Sequence, residues 1–283
     1  MLATSETKKD REFCFTDRDF EAVRKRLYDH AGISLNDSKR DLVYSRLSRR
    51  LRALRIGSFG AYLRLLDSAQ GESELVHFIN ALTTNLTAFF REPHHFDYLA
   101  EEALPEALRR HEHDRRVRFW SAGCSTGEEP YSMAMIVREN LPPRQCWDLK
   151  ILATDLDSNV VAKAAGGQYT AERISGISRA RAHKWFHRVQ GADRVQVDPA
   201  LRELITFKQL NLMHDWPMRG PFDLIFCRNV VIYFDKPTQR RLFERYADIL
   251  VDGGYLFLGH SESMYRLTDR FELVGRTIYR KVY

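Results

Sequence analysis

Two adjacent carboxylates, Glu128 and Glu129, stand directly after a loop of small residues, Gly123, Ser125, Thr126 and Gly127. A second acidic pair, Asp155 and Asp157, ends one apolar run, and Arg228, Asn229 and Tyr233 follow another. Acids so placed hold cations and hydroxyls. A carboxylate accepts both hydroxyl hydrogens of a ribose, and Asp155 is the better placed of its pair for that role. Two carboxylates at a loop mouth repel a pyrophosphate but hold an ammonium group. Cys14, Cys124, Cys146 and Cys227 show neither metal-type pairing nor redox spacing, so no metal site and four reduced thiols are expected.

These residues need a strand, a turn and a helix to position them. Val117 to Trp120 reads as a strand, and Pro130 with Met133, Ile136 and Val137 marks the helix after the glycine loop. Leu149 to Ala153 and Asp223 to Phe226 read as further buried strands. In a parallel sheet, Asp155 and the run Arg228–Tyr233 then lie at one carboxyl edge, where such folds bind ligands. The glycine turn Asp252-Gly253-Gly254 leads into Tyr255–Gly259, and Phe271 to Tyr279 closes the chain with antiparallel character. A Rossmann-like crevice with acids at its mouth has the charge pattern for S-adenosylmethionine (SAM) rather than for NAD.

The 283 residues are enough for one large or two modest domains, with a net charge of +6 whose excess lies early in the chain. Phe15 to about Phe90 is helical in pattern. Thr16 and Asp17 precede the repeat Phe20, Val23, Leu27. A second helix is expected from Ser38 to Leu54, stopped by Gly57, with Val43, Leu47, Leu51 and Leu54 as its buried stripe. Lys39, Arg46, Arg49 and Arg50 fall on the other face, a cationic surface suited to an acidic protein partner. The connector TTNLTAFFRE, residues 83–92, is rich in Thr and Asn, which favour caps and turns. It leads into a helix from His94 to Leu108. A basic insertion of short strands and a helix spans about 166–210. The boundaries expected are a helical domain over 12–90, a linker over 91–105 and an α/β domain over 106–283. No apolar run approaches a membrane span, and the polar start lacks a signal-peptide core, so a cytoplasmic protein without membrane insertion is expected.

In order, NLTAFFRE, WSAGCSTGEEPYS, ATDLD, PFDLIFCRNVVIYFD and GYLFLGHSES resemble the chemotaxis-receptor glutamate methyltransferases, the CheR family. The likeness covers nearly the whole chain. It implies a Rossmann-like SAM-dependent methyltransferase sheet, an N-terminal all-α domain and a small inserted β-subdomain. The implied reaction is methyl transfer from SAM to glutamate carboxylates of methyl-accepting chemoreceptors, leaving S-adenosylhomocysteine (SAH). The family's cofactor contacts fall on Asn85, Thr87, Arg91, Glu129, Asp155, Asn211, Leu212, Arg228 and Asn229. Glu129 corresponds to the acid holding the methionine ammonium, while Glu128 shapes the helix start. Arg91 and Tyr233 match the two side chains that point at the transferring methyl. The implied partners are the receptors' cytoplasmic methylation helices, docked on the basic helix. Some family members tether to a receptor tail through a glycine-rich loop. Here His187 to Val197 holds one glycine, Gly191, and is short, which argues against that tether.

Two readings from other classes are weighed against this one. A nucleic-acid base methyltransferase places an Asp/Asn-Pro-Pro-aromatic run where this chain has Cys227-Arg228-Asn229-Val230, so no nucleic-acid substrate is expected. A silent SAM-sensing adaptor has no need of Arg91 and Tyr233. His260, before Ser261 and Glu262, reads as structural.

Overall fold

The computed structural model of the protein describes residues 11–142 and 146–283; the polar start lies outside the described residues. The chain divides into two compact units at Thr83/Thr84.

In the first unit α1 (Asp17–Ala31) opens with a capping box, in which Thr16 and Asp19 satisfy each other's backbone N–H groups, and ends at left-handed Gly32. Phe20, Val23 and Leu27 are buried as expected. The next helix, α2 (Arg40–Leu54), starts after a 3-10 turn at Asp37–Lys39, two residues later than its sequence suggests. It stops where Arg55 turns left-handed, ahead of Gly57. Val43, Leu47 and Leu51 are fully buried, but Leu54 in that last turn is exposed. α3 (Phe59–Leu66) and α4 (Gly71–Leu82) complete the unit. The cationic face of α2 is only partly available. Arg50 pairs with the buried Glu74, which Tyr62 also hydrogen-bonds, and Arg46 donates to the Ala81 and Thr83 carbonyls at the end of α4. Lys39 and Arg49 stay exposed.

The second unit begins with the connector and a helical stretch made of α5 (His94–Tyr98), a π turn at Leu99–Ala103 and α6 (Leu104–Arg110). Strand and helix then alternate through β1 (Arg116–Ser121), α7 (Glu128–Asn140), β2 (Asp148–Asp155) and α8 (Ser158–Gly166). There follow β3 (Gln168–Tyr169), α9 (Arg179–Trp185), β4 (Phe186–Arg188), β5 (Val195–Val197), α10 (Pro199–Arg202) and β6 (Ile205–Gln209). The chain closes with β7 (Phe222–Cys227), α11 (Lys236–Ile249), β8 (Leu250–Leu258), β9 (Phe271–Gly275) and β10 (Ile278–Lys281).

Among the described residues the main sheet runs β6-β2-β1-β7-β8-β10-β9, parallel from β6 to β8, with β10 antiparallel to both β8 and β9. Its side chains alternate between two cores. Phe119, Leu224 and Phe226 face one, and Trp120, Ile225 and Cys227 face the other. Each such large side chain contributes roughly 1.5–3 kcal/mol by leaving water. A three-stranded sheet, β3-β5-β4, forms the insertion. Ile205 and Phe207, expected inside it, instead belong to β6, which pairs with β2 in the main sheet. The expected glycine turn at 252–254 lies within β8, where its register against β7 shifts.

Candidate functional site

The glycine loop leaves β1 with little freedom. A Cβ on Gly123 would lie 2.3 Å from Val230 Cγ2. Gly127 adopts φ +97 and its Cβ would meet the Tyr169 hydroxyl at 2.8 Å, so side chains are excluded at both places. Ser125, at φ 47, donates its N–H to Asp155 Oδ2 at 2.8 Å, and Asp157 N–H reaches Asp155 Oδ1 at 3.0 Å. Asn85 joins this group from the connector. Its Nδ2 donates to Asp157 Oδ2 at 2.8 Å, and its carbonyl accepts from Ser125 Oγ at 2.9 Å. The connector, the loop and the end of β2 thus form one hydrogen-bonded rim.

Arg228, at the carboxyl end of β7, is the hub of the crevice. Its Nη1 lies 3.1 Å from Glu129 Oε2, its Nη2 lies 3.4 Å from Glu92 Oε2 and also donates to the Arg91 carbonyl. The guanidinium packs over Phe96 and Phe226. Ser121 Oγ donates to the other Glu129 oxygen at 2.8 Å. Glu92 in turn accepts from Nδ1 of His260 at 2.9 Å. Glu92, His94 and His95 bring ligand-type atoms within 4.8 Å of one another, but there the Arg228 guanidinium already supplies the positive charge.

Tyr233 is placed by a buried acid. Glu262 accepts from the N–H groups of Gly259, Asn229 and Ile232 at 2.6, 2.8 and 3.2 Å, which holds the turn after β7 closed. Asn229 is left-handed within it, at φ 58. Tyr233 ends the following 3-10 turn, half-buried, and its hydroxyl makes no hydrogen bond among the described residues. Arg91 is also half-buried and donates from Nη1 to the Leu86 carbonyl at 2.8 Å. Of the eight left-handed non-glycine residues among the described residues, four (Phe90, Glu92, Ser125 and Asn229) lie in the connector, the glycine loop and the turn after β7. Such backbone costs of order 1–3 kcal/mol each, and it gathers where these elements meet.

Burial sets the charges. Glu129 is pushed up by desolvation, which the Arg228 charge only partly offsets. Asp155 is pushed up to about 6 by burial, with the Asp157 charge adding to it. Glu92 goes the other way. Burial would raise it, but the His260 hydrogen bond and the Arg228 charge together pull it down to about 2. Burial and Arg228 hold His95 down to about 3, so it is neutral.

The structure therefore places Asn85 and Asp155 in the rim, Glu129 and the Arg91 carbonyl on the Arg228 hub, and Asn229 and Tyr233 on the turn that Glu262 fixes. Thr87 takes part only through its carbonyl, which accepts from Arg173 at 3.3 Å. Asn211 caps its own turn, its Oδ1 accepting from Met213 N–H at 2.9 Å. The Leu212 side chain is buried in a core cluster and its carbonyl accepts from Arg245, so it offers little besides its backbone N–H. Glu92 and Ser121 carry no expectation in the sequence, and Ser125 and Glu262 none beyond their place in the loop and the HSES run. The signals are the acid beside Arg91 and the acid within the HSES run.

This donor set suits SAM. Three loop N–H groups that could otherwise cradle a phosphate are spent on protein acceptors: Ser125 on Asp155, Cys124 on Thr154 and Gly127 on Cys124. What the loop presents is carboxylate, which matches an ammonium and ribose hydroxyls. Arg91 and Arg228 match a carboxyl group. No helix among the described residues is long and apolar enough to cross a membrane.

Comparison with known proteins agrees. Residues 85–280 match the family described as CheR methyltransferase, SAM binding domain, and residues 18–83 match the CheR methyltransferase all-alpha domain. The chain is 49% identical to chemotaxis protein methyltransferase 2 of Pseudomonas aeruginosa over 277 residues, 95% of each chain. It is 46% identical to a probable chemotaxis protein methyltransferase of Rhizobium etli over 257 residues, 90% of this chain and 96% of that one. The chemotaxis protein methyltransferase of Escherichia coli is 45% identical over 270 residues, 93% of this chain and 91% of that one. With both domains matched in order and the acid-lined crevice in place, the chain belongs to the CheR family of SAM-dependent chemotaxis protein methyltransferases.

Proposed function

We propose that the protein methylates glutamate side chains on the cytoplasmic helices of chemoreceptors, and that it does so in the cytoplasm. The observation that carries the proposal is the cation and hydroxyl donors, Arg91 and Tyr233, beside a network of acids assembled around Arg228. SAM, when bound, supplies a methyl group on a positively charged sulfur, which an ionised carboxylate attacks directly. Glutamate is ionised near neutral pH, so no general base is required, and the protein's task is placement and electrostatics.

In this reading Glu129 holds the ammonium, Asp155 the ribose, and Asn211 with the Leu212 backbone the adenine. Asn85 from the rim, Thr87 from the connector and Asn229 from the turn after β7 complete the pocket. Arg91, tethered at Leu86, orients the incoming carboxylate or the cofactor carboxyl without neutralising it fully, since a fully neutralised carboxylate is a poorer nucleophile. Tyr233 would donate its hydroxyl, which has no partner among the described residues, to the attacking oxygen. Receptor helices would dock on α2 and the turn before it through Arg49 and Lys39, because Arg46 and Arg50 are engaged within their own unit. Docking without a tail tether stays part of the proposal. Mass-spectrometric mapping of methyl groups on a receptor's cytoplasmic fragment tests the substrate. Esters on glutamate are expected, and methylation confined to lysine or to nucleic acid would contradict it.

Asp155 also gives the cofactor site a pH dependence. Its raised value means that its contribution to the free protein's stability is full below the ordinary aspartate range and lost as pH rises through about 6. Ribose hydroxyls donate to the ionised form, so binding must expel the proton. SAH affinity is therefore expected to fall as pH drops below about 6, by up to about tenfold per pH unit, with proton release on binding. Calorimetry in buffers of different ionisation heat measures this, and Asp155→Asn should abolish the Asp155 part of it.

A further inference from the structure

The inserted subdomain does more than sit on the sheet. Arg173, just after β3, reaches out of it with both guanidinium nitrogens. Nη2 lies 3.0 Å from Glu128 Oε1, and Nη1 donates to the Thr87 carbonyl at 3.3 Å. The Glu128 side chain is 1% exposed, whereas that of Arg173 is 39% exposed. The other Glu128 oxygen accepts from Thr126 Oγ1 at 2.6 Å, inside the glycine loop. Tyr169 of β3 approaches the same place, donating its hydroxyl to the Thr126 carbonyl at 2.6 Å. Its ring meets Phe89 of the connector edge-on, with centroids 5.0 Å apart. Two residues of the insertion therefore grip both the loop and the connector.

A carboxylate this deeply buried needs a cation, and Arg173 is its ion-pair partner among the described residues. Removing the arginine leaves a charge that drags Thr126, and with it the loop, toward solvent. We infer that Arg173 is a positioning residue for the cofactor loop and connector, acting through buried Glu128 and the Thr87 carbonyl. The insertion is thereby coupled to SAM binding, whatever else it contacts. This rests on the reading that the loop and connector hold the cofactor.

The test compares Arg173→Gln, Arg173→Lys and the double variant Arg173→Gln/Glu128→Gln, by SAH titration and by amide hydrogen exchange of the free protein. Arg173→Gln should weaken SAH binding by about tenfold, in the range of coupled neighbouring residues. It should also speed exchange over residues 123–129. The lysine variant should lie between. The double variant, which removes the unpaired charge, should return to within about threefold of the parent, as a coupled pair requires. Should Arg173→Gln fail to fold, Tyr169→Phe removes one hydroxyl from the same grip, and should weaken SAH binding and speed exchange at Thr126. SAH affinity unchanged in the folded variants overturns the inference. If exchange is nonetheless faster, the fault lies in placing the cofactor against this loop; if exchange is also unchanged, the grip itself carries no positioning role.

Discussion

Arg228→Ala should abolish measurable SAH binding and destabilise the free protein by about 3–5 kcal/mol, the cost of stripping the partner from a buried ion pair. For a chain of this size that is a fall in Tm on the order of 10 °C. The reason is that one guanidinium serves two acids at once. Glu129 and Glu92, with side chains 10% and 11% exposed, lie 3.1 and 3.4 Å from it. In the parent, Glu92 is held down to about 2, so its stabilising contribution is present above the ordinary carboxylate range and lost as pH falls toward about 2. In the variant Glu92 loses the Arg228 share of its lowering and Glu129, already pushed up in the parent, is pushed up further, so both bind protons more readily than in the parent. The stability gap between parent and variant should then narrow as pH is lowered. Thermal melts from pH 5 to pH 8 check this, and a gap constant across that range would show that Arg228 does not charge-balance the pair.

Tyr233→Phe should lower methyl transfer by about a hundredfold while leaving SAH binding within about twofold, because a donor used in the transition state costs rate rather than cofactor affinity. The turn that carries it is fixed by Glu262 from three N–H groups, so the ring should stay in place when the hydroxyl is lost. Arg91→Ala should be at least as damaging to turnover. It should also weaken SAH binding, since the side chain is tethered within the connector at the Leu86 carbonyl and that bond is lost. Single-turnover rates beside calorimetric affinities separate the two effects. Full activity in both variants would contradict the roles given to Arg91 and Tyr233.

Much of this arrangement is legible in the chain itself, for local reasons. The glycine loop, the acid at the end of β2 and the run after β7 each follow their strand within a few residues, so their place at the sheet's carboxyl edge follows from strand order. The same holds for α1, whose capping box and apolar spacing lie in consecutive residues. What sequence could not supply depends on distant partners. Arg46 and Arg50 look like surface charge on a helical wheel until α4 brings up its carbonyls and Glu74. Ile205 and Phe207 read as part of the insertion because pairing with β2 is a long-range event. Glu92 and Glu262 stand beside residues already singled out, yet their partners, His260 and the N–H groups after β7, come from other elements. The end of α2 at Leu54 is as expected, but the stop differs from the expected Gly57 because Arg55 takes the left-handed conformation usually left to glycine.

The most direct measurement is methyl incorporation from labelled SAM into chemoreceptors, with and without their C-terminal tails, followed by mild alkali. Carboxyl methyl esters release methanol under these conditions, whereas methyl groups on nitrogen do not. Alkali-labile label on tailless receptors is the result expected from a glutamate methyltransferase that docks without a tether. Tight SAH binding with no label on any receptor would contradict the central claim and leave a SAM-binding adaptor in its place.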